Sequence, residues 1–333
     1  MLSIIIINYK TPQLVLDCLA TVFNATHNIS YEVIIVDNNS RDNSEAIILS
    51  QFPLIKWIQL SYNAGFARAN NEAIRQSSGD VILLLNSDTL NIQNAIERCY
   101  KEFIASSYIA CGVQLLNKDG SPQISGNYVI TGGLNNLLPL PYIGNFVKWL
   151  GNILQVKKPN IPDAKNTVEV DWINGAFLMV KKGTIEKAGL MDEDFFLYAE
   201  EAEWCSRLKK FGKLCIFGRY NIIHLQGESA NATFKSSGSG YSNLTDRKGL
   251  QIMVSNFVRI RKQFGIQWFL LHLFFYTITV PLWPILSSIH YLIYLKNPFS
   301  EYRKIYGFSC NVIKLWQLSP VILRNKPFFY KIL

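Results

Sequence analysis

The run Val81-Ile82-Leu83-Leu84-Leu85 stops abruptly at Asn86-Ser87-Asp88-Thr89. Consecutive aliphatic residues bounded by Gly79-Asp80 leave no polar face, so the segment reads as a strand covered on both sides, the kind found inside a parallel sheet. Open α/β sheets bind ligands beyond the carboxyl ends of their strands, which makes Asp88 a candidate metal- or phosphate-site residue; the other reading is a cap for the next helix. Two upstream segments repeat the pattern. Ser3-Ile4-Ile5-Ile6-Ile7-Asn8-Tyr9 and Val33-Ile34-Ile35-Val36-Asp37-Asn38-Asn39-Ser40 are apolar runs with polar exits. Helical patterns lie between them, at Leu14 to Phe23 and Ala46 to Leu49. Strand, helix, strand, helix means a parallel sheet wound by crossovers, with Asn8, Asp37 and Asp88 along one edge.

Length and apolar content allow one large α/β domain plus an appendage. The net charge of +9 resembles a nucleic-acid signal until it is divided along the chain. Residues 1–240 carry 21 basic and 22 acidic groups, whereas residues 241–333 carry 12 and 2. The same tail holds Gln263 to Leu295, which lacks Asp, Glu, Lys and Arg and is flanked by Arg259, Arg261 and Lys262 on one side and Lys296, Arg303 and Lys304 on the other. Basic flanks around an apolar segment point to an anionic membrane surface and not to nucleic acid. Pro281 and Pro284 divide the segment into halves of about 16 residues, each shorter than the roughly 20 that span a bilayer, so a re-entrant or tight hairpin is expected. A buried helix pair, or a pair lying on the bilayer, are the other readings. Leu2 to Ile7 is too short for a signal core and reads as the first strand, which places the catalytic part in the cytosol. The six cysteines form no C-x-x-C pair and read as reduced, mostly buried residues.

Several further segments carry chemistry. Asn63-Ala64-Gly65-Phe66-Ala67-Arg68 places a tight turn at the start of a helix, whose first amides face a phosphate in this reading, with Arg68 adding a fixed charge. Val168 to Val180 reads as a strand pair or strand-turn-helix around Asp171-Trp172-Ile173-Asn174-Gly175-Ala176. Glu200, Glu201 and Glu203 crowd the start of another helix, where acids also simply complement the dipole. The apolar setting of Phe195, Phe196, Tyr198 and Trp204 would raise a carboxyl pKa and suit it to general-base work. His224 ends a strand-like run and precedes a Gly/Ser-rich stretch through Gly240 suited to closing over a ligand.

Taken together, Ile5-Ile6-Ile7-Asn8-Tyr9, Val36-Asp37-Asn38-Asn39-Ser40, Asn63-Ala64-Gly65-Phe66-Ala67, Leu84-Leu85-Asn86-Ser87-Asp88-Thr89, Trp172-Ile173-Asn174-Gly175-Ala176, Phe196-Leu197-Tyr198-Ala199-Glu200-Glu201 and His224 resemble, in order, the family 2 glycosyltransferases, especially their bacterial rhamnosyltransferase-like branch. The resemblance implies an α/β GT-A fold: a Rossmann-like, mixed but mostly parallel sheet flanked by helices, followed by a C-terminal helical membrane-associating segment. It implies a catalytic domain over 1–240, with a nucleotide-sugar half at 1–110 and an acceptor half at 111–240, and a basic aromatic region over 241–333. By the same resemblance Asn8, Tyr9, Asp37 and Asn39 hold the nucleotide, with Gly65 and Arg68 near the diphosphate. Asn86-Ser87-Asp88 stands for the D-x-D element, and Asp88 and His224 are ligands of Mg²⁺ or Mn²⁺. Trp172, Asn174, Gly175 and Ala176 border the sugar and acceptor. Glu201 occupies the base position, with Glu200 as the alternative. Two departures matter: Asn86 replaces the first acid of D-x-D, and Glu201 is one methylene longer than the family's usual Asp.

The activity implied is inverting, metal-dependent transfer of a single sugar from a nucleotide-sugar, L-rhamnose from dTDP-rhamnose, to a polyprenyl-linked glycan acceptor of a bacterial surface polysaccharide, at the cytoplasmic face of the inner membrane. A UDP-hexose or UDP-N-acetylhexosamine donor, or a non-catalytic membrane scaffold, are the alternatives. The segment Ile130 to Lys165 matches no motif and reads as acceptor-shaping, membrane-facing or merely connecting.

Overall fold

The aliphatic runs fold as β1 (Leu2–Asn8), β2 (Tyr31–Asp37) and β4 (Val81–Leu85), joined by α1 (Pro12–Asn24), α2 (Ser44–Gln51), β3 (Lys56–Gln59) and α3 (Gly65–Arg75). These and the following elements come from a computed structural model that describes residues 1–225, 236, 243–295 and 297–332. Next in the chain come β5 (Thr89–Asn91), α4 (Ala95–Ala105), β6 (Ala110–Leu116), β7 (Gly126–Asn127), α5 (Ile143–Ile153) and β8 (Asn160–Ile161). Then follow β9 (Thr167–Val170), β10 (Trp172–Ile173), β11 (Phe177–Lys181), α6 (Lys182–Ala188), α7 (Glu200–Leu208) and β12 (Leu214–His224). The chain closes with α8 (Arg247–Phe264), α9 (Ile266–Ile293) and α10 (Tyr302–Arg324).

Two compact units result, the first comprising Met1–Tyr128, Asn160–Phe196 and Glu200–Ser229, the second Val129–Pro159, Leu197–Ala199 and Ala230–Leu333. The first is built on a sheet ordered β3-β2-β1-β4-β11-β6-β12-β5, with β9 also pairing β12. Strands β3, β2, β1 and β4 run parallel, β11 is antiparallel to both of its neighbours, and β6 and β12 are parallel again. Alternation along the strands feeds two cores. Ile4 and Ile6 of β1 and Leu83 and Leu85 of β4 pack with Val15 and Leu19 of α1 and Phe103 of α4. Ile5, Ile82 and Leu84 face the opposite layer, with Ala67 and Ala73 of α3 and Trp204 of α7. Burial on both faces is why these strands read as unbroken aliphatic runs.

Register then places the polar exits. Asn8 pairs with Asp37 at the carboxyl ends of β1 and β2, while Ile6 pairs with Leu85 at the end of β4. Asn86, Ser87 and Asp88 follow directly. On the other flank, β12 slips register against β6 between Phe217 and Asn221, then pairs His224 with Thr89. This bulge bends the strand and brings its last residue to the acid-bearing turn after β4.

In the second unit, α8, α9 and α10 pack on one another, and α8 and α9 also pack on a 3-10 segment at Thr131–Leu137. Gly132, at φ +71°, lies against the Trp268 ring so closely that a Cβ would fall 2.2 Å from it. His272 Nε2 is 3.0 Å from Gly133 O, and Tyr276 donates to Asn136 O at 3.2 Å. These contacts gather residues 129–159 into the same unit as the C-terminal helices, a partition different from a boundary near residue 240.

The apolar segment corrects one expectation. It is a single helix of 28 residues, Ile266–Ile293, that runs through both prolines and is not divided into two halves. Its buried residues Phe269, His272, Leu273, Tyr276, Thr279 and Trp283 recur at helical spacing and pack in the unit's core, which outweighs the hydrogen bonds two prolines remove. The Gly/Ser-rich stretch expected to close over a ligand lies outside the described residues, Ser236 excepted.

Candidate active site

At the end of β4 the backbone is pinned from three directions. Asn86 N donates to Ala176 O at 3.0 Å, Thr89 Oγ1 donates to Asn86 O at 2.7 Å, and Leu225 N donates to Asp88 O at 2.9 Å. Asp88 and His224 are both buried, with His224 Nε2 3.4 Å from Asp88 Oδ1 and 3.5 Å from Asn86 Nδ2. The network also assigns the tautomer of His224. Gln123 Nε2 donates to His224 O at 2.6 Å and to Asn117 Oδ1 at 2.8 Å, so Gln123 Oε1, 2.9 Å from His224 Nδ1, accepts the ring proton. The Nε2 lone pair is thereby directed at Asp88 and Asn86.

Among the described residues no three His, Cys, Asp or Glu side chains cluster as a self-sufficient metal site. Two protein donors, a carboxylate and an oriented imidazole, nevertheless fit a cation that completes its shell with phosphate oxygens and water. Asp88 and His224 have the chemistry of such donors, and Asn86 would contribute no charge.

Gly175 and Ala176 link this corner to the acidic helix. Asn174 Oδ1 accepts from Ala176 N at 2.9 Å and Asn174 N donates to Ser125 O at 2.9 Å, holding a tight turn between β10 and β11. Ala176 meets Asn86 through its carbonyl, while a Cβ at Gly175 would sit 3.7 Å from Glu201 Cβ. Trp172 is buried just before the turn. The acids themselves divide. Glu203 is paired with Arg207, Nε to Oε1 at 2.8 Å and Nη2 to Oε2 at 2.8 Å, and is structural. Glu200 is buried with Oε2 lacking any partner, and burial, reinforced by the neighbouring Glu201 charge, pushes its carboxyl well above the usual range. Glu201 is the more exposed of the two, at 7% against 3%.

The opposite end of the edge is different. Asp37 Oδ1 accepts from Asn8 Nδ2 at 2.8 Å and Ser40 Oγ at 2.6 Å, and Oδ2 accepts from Ser40 N and Gln59 Nε2, each at 2.8 Å. Tyr9 is half-buried with Lys10 Nζ 5.5 Å from its ring centre, and Asn39 is half-buried at φ +60°. The amides that the sequence offers to a phosphate at the start of α3 are engaged within the protein. Ala64 N donates to Asn38 Oδ1, Gly65 N to Asn63 Oδ1 and Phe66 N to Phe196 O. Gly65, at φ +74°, serves close packing, since a Cβ would fall 2.1 Å from Phe196 O. Arg68 donates from Nε to Glu193 O at 2.8 Å. Sequence reading missed Gln123, which lies 101 residues from His224, and Gln59; neither type nor spacing marks them.

A parallel half, an antiparallel strand inserted at β11 and acids at two strand or helix ends define a GT-A fold. Residues 3–161 match the model for glycosyl transferase family 2. Among its relatives, the low-salt glycan biosynthesis hexosyltransferase Agl10 of Haloferax volcanii is 27% identical over 214 residues, 63% of this chain and 62% of that protein. The rhamnosyltransferase WbbL of Escherichia coli K12 is 24% identical over 198 residues, 55% of this chain and 70% of that protein. The chain thus spans less than two thirds of the first of these. Among solved structures, the Pyrobaculum calidifontis mannosyltransferase PcManGT, in complex with GDP-Man and Mn²⁺, superposes with a TM-score of 0.54 at 13% identity, covering 95% of this chain and 87% of that one. GalNAc-T7, with UDP, GalNAc and Mn²⁺, gives 0.51 at 14%, covering 79% and 51%. At these identities the likeness concerns the fold.

Proposed function

We propose that the protein is an inverting glycosyltransferase that moves one sugar from a nucleoside-diphosphate sugar to a hydroxyl of a lipid-linked glycan acceptor. The observation that carries this reading is the Gly175–Ala176 turn, one residue of which touches Asn86 beside Asp88 while the other abuts Glu201. A leaving-group site and a base must flank the anomeric carbon, and this turn touches the neighbourhood of both.

Glu201 takes the proton of the acceptor hydroxyl. The freed oxygen forms a bond to the anomeric carbon from the face opposite the diphosphate, the carbon–oxygen bond to the diphosphate breaks with its electron pair on the leaving group, and configuration inverts. Glu200, held neutral by burial, leaves the charge of the pair on Glu201. Asp88 and His224 hold the divalent cation, with His224 oriented by Gln123. When bound, that cation supplies charge stabilisation at the diphosphate. Asn8, Tyr9, Asp37 and Asn39 receive the nucleoside, with Arg68 toward the diphosphate. Because Gln59 Nε2 also reaches Leu60 O at 3.1 Å, its bond to Asp37 is the one a ribose hydroxyl exchanges most readily. Trp172 and Asn174 support the acceptor side.

The rhamnosyltransferase among the relatives supports L-rhamnose from dTDP-rhamnose as the donor, for a bacterial surface polysaccharide. Helix α9, long and apolar enough to cross a membrane and only about a third buried over its most apolar stretch, supports attachment to a membrane, which we assign to its cytoplasmic face. The test is transfer from a panel of radiolabelled dTDP- and UDP-sugars to lipid extract, with Mn²⁺ or Mg²⁺, comparing wild type with Glu201→Gln and Asp88→Ala. Label entering lipid from one donor, lost in both variants, is the expected result. Transfer from a UDP-hexose instead would replace the donor, and intact nucleotide binding without transfer from any donor would leave a non-catalytic scaffold.

A further inference from the structure

Helix α5 is built upside down. Phe146, Trp149, Leu150 and Ile153 fall at i, i+3, i+4 and i+7, the stripe that normally faces a core, while Asn145, Lys148 and Asn152 occupy the other side. Yet the stripe is exposed: Phe146 by 59%, Trp149 by 57% and Ile153 by 57%, with Leu154 following at 64%. Gly144 is the helix's one buried residue, its Cα close against Leu138 O. An amphipathic helix that seats its small residue on the protein and turns its large ones outward has a partner of another kind.

Charge indicates which. From residue 120 to 162 the chain has no Asp or Glu, and Lys148, Lys157 and Lys158 are all exposed. Eleven residues give a rod of about 16 Å, far too short to cross a bilayer but suited to lying in its interface. Trp149 and the lysines supply the aromatic and cationic groups that settle at headgroup level. Tyr142, immediately before the helix, has its phenol pushed up first by burial and then by Glu301 and Tyr291, so α5 begins near the 3-10 turn at Pro298–Glu301. Around that turn Phe299 and Tyr302 are 76% and 65% exposed.

We propose that α5 is an in-plane anchor that inserts the Phe146–Trp149–Ile153 face into an anionic bilayer surface. The choice of lipid as occupant rests on the membrane reading of α9 above, but the residues of this face belong to α5 and not to α9. Flotation of the full chain with phosphatidylcholine vesicles, with and without phosphatidylglycerol, tests it through two charge-matched pairs. Phe146→Glu/Ile153→Glu alters the apolar face and Asn145→Glu/Asn152→Glu the polar face by the same net charge. The apolar-face pair is expected to partition at least about tenfold more weakly than the polar-face pair, with unchanged thermal unfolding and nucleotide binding. Equal binding by the two pairs overturns the proposal. If Leu270→Glu/Phe274→Glu on α9 then abolishes binding, the α9 reading survives alone; a wild type that binds no vesicle defeats both. A wild-type dimer that the apolar-face pair dissolves, without lipid binding, assigns the face to a second copy and also overturns it.

Discussion

Two helices in the first unit begin with a buried acid in the first turn, and they treat it in opposite ways. At the start of α4, Glu97 is 5% exposed and accepts from His27 N, Asn28 N and Asn28 Nδ2 at 2.9, 3.0 and 3.1 Å, with Lys101 Nζ at 2.6 Å. Those donors, the Asn28 amide foremost, hold its carboxyl down at about 2. At the start of α7, Glu200 is 3% exposed with one oxygen unpartnered, and its carboxyl is pushed up. Burial and the helix dipole are common to both, so hydrogen-bond supply decides the direction. A satisfied acid organises a loop; an unsatisfied acid beside a second acid is the arrangement the proposed chemistry would use.

The comparison breaks most sharply in the rate. Glu201→Gln should lower turnover about 10²- to 10⁴-fold while leaving nucleotide binding and unfolding near wild type. Glu97→Gln should leave turnover per folded molecule unchanged. Equal losses of turnover in the two variants would mean that the α7 acids are as structural as Glu97.

Asp88 and His224 form a third case, buried side by side with the His224 ring held by Gln123. Gln123→Leu removes the acceptor that fixes the His224 tautomer, and should weaken Mn²⁺ binding, followed by electron paramagnetic resonance in the presence of nucleoside diphosphate, about 10- to 100-fold. Nitrogen shifts of the imidazole should report Nδ1 protonated in wild type and a tautomer mixture in the variant. Unchanged affinity and shifts would show that Gln123 only fills space.

Much of this layout was open to sequence reasoning because it depends on local pattern. Strands β1, β2 and β4 announce themselves as aliphatic runs, and parallel register carries Asn8, Asp37 and Asp88 to one edge without further information. What escaped depends on distant partners. Gln123 approaches His224 only because β12 bulges after Phe217, and Gly65 has its reason in Phe196 O, not in a phosphate. Likewise, Pro281 and Pro284 suggested a break that the packing of Tyr276, Thr279 and Trp283 overrides. The exposed face of α5 was hidden for the reverse reason: its spacing is that of a core helix, and only the structure reveals which way it points.

The satisfied acid should then declare itself in stability. Glu97→Ala leaves the amides of His27 and Asn28 without their acceptor and should cost about 2 kcal/mol at pH 7, measured by denaturant unfolding. A carboxyl held below its ordinary value of 4.5 contributes stability above that value and loses it as pH falls toward about 2, so the gap between wild type and variant should narrow in acid. A gap that stays constant down to pH 3 would mean that the loop, and not the charge, carries the effect.

The last effect is the most diagnostic, because its sign is opposite. Glu200's carboxyl is raised in the fold, so the folded state holds its proton more tightly than the unfolded chain does. The resulting stability is fully present below the ordinary value of 4.5 and is lost as pH climbs toward the raised one. Glu200→Gln is neutral throughout, so it should match wild type near pH 4.5 and then become the more stable protein, by at most about 1.4 kcal/mol for each pH unit in that window. Turnover should fall less than about tenfold, since the charge that accepts the proton stays on Glu201. Unfolding midpoints collected at successive pH values decide it. Diverging curves, with the variant above wild type, identify an acid kept neutral by its surroundings; parallel curves would mean that Glu200 finds partners in solution and that the contrast with Glu97 is one of degree.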